Sequence, residues 1–194
     1  MAASHIIDTD GEAILIPNWI MPQQAVNMFN TLSEVIDWQQ DTVTIAGRQV
    51  KLPRLTAWYG DQGLSYQYSG LTHLAPGWIS SLKELAEKIG IESGERFNSV
   101  LCNYYRDGAD YVGWHSDNES SLGEEPTIAT LSLGGTRQFA FKHKTTGQKE
   151  SIVLESGSLL IMRGATQQHW LHTITKTKRP TNPRISLTFR KIVC

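Results

Sequence analysis

Cysteine is scarce in this sequence: Cys102 lies in an apolar run and Cys194 at the last position, two in 194 residues. Thiols so placed build neither a disulfide framework nor a Cys-rich zinc site, and they suit a reducing compartment. An excess of one charge is missing too. Lys plus Arg number 18 against 19 for Asp plus Glu, a net charge of −1, so overall charge recruits neither nucleic acid nor a membrane. No apolar run approaches the roughly 18 residues that mark a membrane span. The opening MAASHIIDTDGEA lacks the basic start and apolar stretch of a secretory leader. Repeats, low-complexity tracts and an interdomain linker are also absent. The expectation is one compact, soluble, monomeric domain without a membrane partner, cytoplasmic or, in a eukaryote, nuclear.

What is present changes character near residue 95. Before it, Ala25, Met28, Phe29, Leu32, Val35 and Ile36 follow helical spacing after Pro22. Trp78, Ile79, Leu82, Leu85, Ala86 and Ile89 form a second helical pattern, with Gly90 expected as its C-terminal stop. Residues 47–70, rich in glycine and aromatics, read as hairpins or loops over a surface. After residue 95 the chain breaks into short β-rich runs, FNSVLCNYY, TIATLSLG, RQFAFKH, ESIVLE, SLLIM and RISLTFRKIV, punctuated by Gly, Pro, Ser and Asn. With no βαβ alternation, the fold expected is mostly β: a double-stranded β-helix (jelly roll) over 96–194. Residues 1–95 add helices and a lid at about 45–70, packed on that core as one domain.

Chemistry gathers in three places. His115 and Asp117 stand two apart, on one face if the stretch is extended. Iron(II) oxygenases hold their metal by two histidines and one carboxylate, leaving positions open for cosubstrate and dioxygen. The second histidine is either His169 or His172, which lie on opposite faces of an extended strand. Taken alone, a histidine and an acid in a turn are weak evidence. The last strand adds weight. Arg184, Ser186, Thr188 and Arg190 alternate with Ile185, Leu187 and Phe189, so two guanidinium groups share a face about 20 Å long. Such forks bind carboxylates in two-pronged fashion, which suits an organic diacid beside a metal. Basic residues also cluster at Arg48, Lys51 and Arg54 and along Lys176, Lys178, Arg179, Arg184, Arg190 and Lys191, where a solvated face is the ordinary reading.

The motifs Asn103-Tyr104-Tyr105-Arg106-Asp107-Gly108, His115-Ser116-Asp117-Asn118-Glu119, His169-Trp170-Leu171-His172 and Arg184 to Arg190 occur in that order. Together they resemble the AlkB-like dioxygenases, which repair alkylated nucleobases with Fe(II), 2-oxoglutarate and O2. The likeness runs from about Gly47 to Val193. Its stretch from Pro53 to Gly70, including Tyr66-Gln67-Tyr68, resembles the nucleotide-recognition region of the eukaryotic DNA-repair members.

The resemblance implies that His115, Asp117 and His172 ligate iron and form the catalytic set. It implies that Arg184 and Arg190, with Asn103, Tyr105 and Ser186, hold 2-oxoglutarate. Tyr66, Tyr68, Asn118, Glu119, Ala46, Arg48 and Arg54 would meet the substrate. The implied reaction removes N-alkyl groups, as in 1-methyladenine or 3-methylcytosine, from single- or double-stranded DNA, with RNA left open. Its products are formaldehyde, succinate and CO2. Ser186 stands where several members have Asn, Asn118 where some have Asp, and Tyr68 where a Phe is usual. Ala46 occupies a loop in which duplex-specialised members carry an aromatic wedge, so single strands should serve at least as well as duplexes. Two other functions share the pattern: an Fe(II)/2-oxoglutarate hydroxylase of proteins or small molecules, and a non-catalytic jelly-roll binding module.

Overall fold

A computed structural model describes residues 3–45, 47–68 and 71–193, with the backbone alone for 44–45, 66–68 and 71–73. The N-terminal part contributes β1 (Ser4–Ile7), β2 (Glu12–Ile16), α1 (Pro22–Val35), β3 (Thr42–Ile45), β4 (Arg48–Lys51), β5 (Leu55–Gly60), β6 (Ser65–Tyr68), β7 (Leu71–Leu74) and α2 (Ser80–Ser93). There follow β8 (Ser99–Tyr105), β9 (Val112–His115), β10 (Ile128–Gly134), β11 (Arg137–His143), β12 (Lys149–Leu154), β13 (Leu159–Arg163), α3 (Thr166–His169), β14 (Trp170–Ile174) and β15 (Arg184–Arg190).

The strands form a double-stranded β-helix. A seven-stranded sheet runs β1-β2-β13-β10-β15-β8-β5, and a four-stranded sheet runs β12-β11-β14-β9. Every pairing is antiparallel. The alternation in β15 sorts two interiors. Ile185, Leu187 and Phe189 join Val100, Leu131 and Leu133 under α1 and α2, in a core completed by Leu32, Leu82 and Ile89. On the other face Phe139, Phe141, Trp170 and Ile174 fill one end of the space between the sheets. The polar positions of β15 occupy the rest. Because β15 is buried at all seven residues, its arginines are not a solvated edge.

Both helices were legible, but their ends differ from the pattern. Pro22 opens α1, where its missing N–H costs nothing. α2 continues a turn past Gly90 and stops at Gly94, which has φ 74° and donates its N–H to Gly90 O. The apolar pattern fades at Ile89 because Ile91 faces solvent (86% exposed). Gly90 is needed for space, since a Cβ there would lie 2.8 Å from Glu95 O. The segment around residues 47–70 forms two separate two-stranded ribbons, β3–β4 and β6–β7. Between them β5 leaves the surface to pair with β8. Among the described residues no helix is long and apolar enough to cross a membrane.

One buried cation ties the loops of the small sheet. Arg137, 3% exposed, donates to the carbonyls of Asp107, Asp110 and Thr175. Asp110 in turn accepts from the Arg106 backbone and guanidinium, which closes the turn leading into β9. Arg137→Leu would strand three carbonyls; we expect a loss on the order of 3 kcal/mol, read by thermal or urea unfolding.

Candidate active site

The space between the sheets is a cavity of about 670 Å³. Its wall from the large sheet is polar because β15 and β8 are paired in register: Arg184 opposite Tyr105, Ser186 opposite Asn103. The wall from the small sheet carries His172 directly opposite His115 on the β14–β9 pair.

His115, Asp117 and His172 present ligand atoms within 4.8 Å of one another. The two imidazoles are edge to face at 4.2 Å, and His172 stacks on Phe139. His115 Nδ1 lies 2.8 Å from Gly113 O. A carbonyl only accepts, so this nitrogen carries the proton and Nε2 keeps its lone pair for a metal. Asp117 divides its carboxylate. Oδ1 faces His115 Nε2 at 3.7 Å, while Oδ2 accepts from Arg190 Nη2 at 2.8 Å and Nε at 3.2 Å. Its backbone N–H donates to Gln167 Oε1. Burial alone would raise the Asp117 pKa, but the Arg190 guanidinium, aided by both histidines, outweighs it and brings the carboxyl down to about 2. Burial, with His115 beside it, lowers His172 to about 3, so its ring is neutral at physiological pH. His172 Nδ1 is buried with no hydrogen-bond partner. Two imidazoles and a carboxylate form the facial donor set that suits iron(II).

Across the cavity Arg184 is 1% exposed. Its Nη2 donates to Ser132 Oγ at 2.9 Å and, more weakly, to Ser186 Oγ at 3.4 Å, while Nε and Nη1 are buried without partners. Burial lowers its pKa to about 10, and it remains charged at neutral pH. Tyr105 lies between this guanidinium and that of Arg137, at 5.3 and 5.6 Å from the ring centre. A buried cation with two open donors costs several kcal/mol unless an anion meets it. The site therefore fits a small dicarboxylate such as 2-oxoglutarate as well as a metal.

Of the other expected residues, Arg54 and Glu119 line the same cavity. Arg54, grouped with Arg48 and Lys51 as a basic surface cluster and expected to meet the substrate, is 4% exposed and donates to Asn103 Oδ1 at 2.7 Å and to Tyr111 O. Pro53 O accepts the Tyr111 N–H, and the chain entering β5 turns the arginine inward. Arg48 and Asn118 are exposed, and Glu119 is half-buried against the cavity. Ala46 lies outside the described residues, as do the side chains of Tyr66 and Tyr68.

His169 is not on a strand. It ends the one-turn helix α3 and belongs to a second group with Asp10 and His143. There His143 Nδ1 accepts from the Thr145 and Thr146 backbones, which leaves Nε2 protonated to donate to Asp10 at 3.1 Å. That ring is a clamp between β11 and the β1–β2 turn. Sequence reading missed Ser132 and Gln167, which support Arg184 and Asp117; each is a small or neutral polar residue in an apolar setting, with no periodic mark.

Residues 12–190 match the 2OG-Fe(II) oxygenase superfamily, and the chain belongs to it. Over 188 residues it is 41% identical to alpha-ketoglutarate-dependent dioxygenase alkB homolog 3 of Bos taurus, covering 92% of this chain and 65% of that protein. Over 181 residues it is 36% identical to DNA oxidative demethylase ALKBH2 of Mus musculus, covering 88% and 76%. The chain thus spans slightly under two thirds of the length of the alkB homolog 3 relatives. A solved structure of OsALKBH1 superposes with a TM-score of 0.69 at 17% identity, over 98% of this chain and 100% of that one; this likeness concerns the fold.

The lowered His172 pKa has a consequence for the metal-free protein. An unfolded ring binds a proton near 6.5 and the folded one near 3, so between these values the unfolded state holds more protons and stability is lost as the pH is lowered. From pH 7 to pH 5 the loss should be about 2 kcal/mol, or roughly 4–8 °C in Tm. Calorimetry in EDTA should show this slope in the wild type and a flatter one in His172→Asn.

Proposed function

We propose that this chain is an oxidative dealkylase of N-alkylated nucleobases in DNA. The reading is carried by one observation: a buried arginine with two open donors, Arg184, lies in the same cavity as a two-histidine, one-carboxylate set. The names of its relatives, a dioxygenase and a DNA oxidative demethylase, point the same way.

In this reading His115, Asp117 and His172 hold the iron. When bound, Fe(II) with 2-oxoglutarate and O2 supplies the oxidation of an N-alkyl carbon, with loss of formaldehyde and formation of succinate and CO2. Arg184 takes the far carboxylate of the cosubstrate. Tyr105, Asn103 and Ser186 line its path, and Arg54 holds the Asn103 amide in place. Arg190 keeps Asp117 ionised and fixes which oxygen faces the metal site. The His115 ring is set by Gly113 O, so the metal-binding nitrogen needs no tautomer change. Phe139 and Ile174 exclude water from the small-sheet side.

A paired base presents its N-alkyl group inside the stack, so the nucleotide must be extruded or met unpaired. Tyr66, Tyr68 and Glu119 are proposed to receive it, with Asn118 and Arg48 near the strand. Ala46 in place of an aromatic wedge favours single strands at least as much as duplexes, with RNA a second polymer to test. The protein would act as a monomer in the cytosol or nucleus.

Formaldehyde release from oligonucleotides carrying 1-methyladenine or 3-methylcytosine, with Fe(II) and 2-oxoglutarate, tests the function. Succinate formation without formaldehyde from any methylated strand would instead favour a hydroxylase of another substrate. Two variants test the roles. His172→Ala should abolish binding of Fe(II) or Co(II) in a metal titration, whereas His169→Ala should retain it. Arg184→Ala should raise the KM for 2-oxoglutarate at least tenfold, matching loss of a charge-assisted fork worth about 1.5–3 kcal/mol.

A further inference from the structure

β9 carries one residue more than its partner. Val112 pairs with Ile174 and His115 with His172, so three steps along β9 match two along β14, and the register shifts between them. The extra residue falls in Gly113-Trp114. A bulge of this kind re-aims side chains beside a site. Here it does two things. Gly113 O is brought to His115 Nδ1, and Trp114 is turned to the cavity mouth, 43% exposed and lining its wall. Among the described residues Trp114 makes no hydrogen bond or ring contact and joins no core cluster. A large aromatic on the cavity wall whose indole makes no hydrogen bond or ring contact among the described residues is placed for a flat ligand.

The surface beside it is basic and aromatic. Tyr111, three residues earlier, also lines the cavity, and Lys176 Nζ sits 4.4 Å over its ring. The Lys176–Arg179 segment is anchored by the Thr177 N–H donating to Gly108 O, and Lys176, Lys178 and Arg179 are exposed. Lys51, exposed at the end of β4, lines the same cavity. Stacking rings interleaved with cations form the usual surface for a single strand, whose bases stack on aromatics while its phosphates meet ammonium groups.

Resting on the dealkylase reading above, we propose that Trp114 stacks on the base next to the damaged one, and that Lys176, Lys178 and Arg179 carry the phosphates leading away from it. The target base enters the cavity and its neighbour stays outside on the indole. In a duplex that neighbour is already stacked and paired, so the platform serves unpaired strands. The substrate recognised is then a strand segment, of which the modified nucleotide is one part.

A cycle of two changes tests this. Formaldehyde release is measured for wild type and Trp114→Ala on a single-stranded methylated oligonucleotide and on the same strand with abasic flanking positions. Removing the flanking bases should raise the wild-type KM by roughly 5- to 100-fold, the range for one base on an aromatic ring. In Trp114→Ala both strands should behave alike, and Trp114→Phe should restore most of the difference. Because each protein is compared with itself, a shift of His115 caused by the substitution cancels. An equal effect of abasic flanks in wild type and Trp114→Ala, or none in wild type, overturns the proposal.

Binding gives a readout that does not depend on turnover. With 2-aminopurine at the flanking position, wild type should quench its fluorescence and Trp114→Ala should not. Equal quenching by both proteins, or none by wild type, overturns the platform. Quenching by wild type alone, without formaldehyde from any strand, would remove the dealkylase reading and leave a single-strand platform.

Discussion

The arrangement depends on β15, a central strand buried on both faces that nevertheless carries two arginines. Hydrophobic burial settles one face: Ile185, Leu187 and Phe189 complete the core beneath the helices. The other face must then hold its cations out of water, which is tolerable only if each is met by an opposite charge or dipole. The two ends meet this demand differently. Arg190 is paired with Asp117, so one end is balanced by a residue of the chain. Arg184 has two hydroxyl acceptors and two donors left over, so the other is balanced by something that enters. The fold thus keeps part of its electrostatic satisfaction for a ligand, which is how a buried cation becomes a binding site and not merely a structural cost.

The same division appears around the donor set. Each side chain of the set is fixed by a group outside it: His115 by Gly113 O, Asp117 by Arg190 and Gln167, His172 by the Phe139 ring. Such supporting contacts determine which lone pair is offered and in which direction. They come from β9, β15, α3 and β11, elements far apart in sequence. The whole β-helix must close before the three side chains converge.

The alternation of β15 and the short β-runs could be read directly, because a strand buried on one apolar face prints its period of two into the sequence. Register could not. That Arg184 lies opposite Tyr105, or His172 opposite His115, follows from long-range pairing. For the same reason Arg54 looked like a member of a basic surface cluster, although its neighbour Pro53 and the β5–β8 pairing turn it inward. The parity used to separate His169 from His172 assumed one strand through both. The chain instead coils through α3 before β14 begins, and His169 is removed to the Asp10 clamp by a helical turn too short to leave a periodic signal. β1 and β2 were missed because they are only four and five residues long and the strand that holds them in the sheet, β13, is distant in sequence.

Rigidity is unevenly distributed over the cavity, and the distribution follows the chemistry. The inner wall belongs to two multi-stranded sheets, where β15, β8 and β14 are each held on two sides. Part of the outer wall comes from Val43, Val50 and Lys51 of β3–β4, which like β6–β7 is a ribbon of two strands outside both sheets. The chain entering β3 is joined to β5 by the paired backbone bonds between Gln39 and Thr56, while the Ala75 N–H to Leu64 O bond extends the β6–β7 ladder itself. A two-stranded ribbon is marginally stable by itself, so its position is sensitive to what lies beneath it. A metal and a small dicarboxylate have one geometry each and need walls that do not move. A polymer whose bases vary in size and sequence needs an outer rim that adjusts. Trp114, on an edge strand of the rigid sheet but turned outward by a bulge, stands where the two regimes meet. A contact there can position a strand without relying on the ribbons.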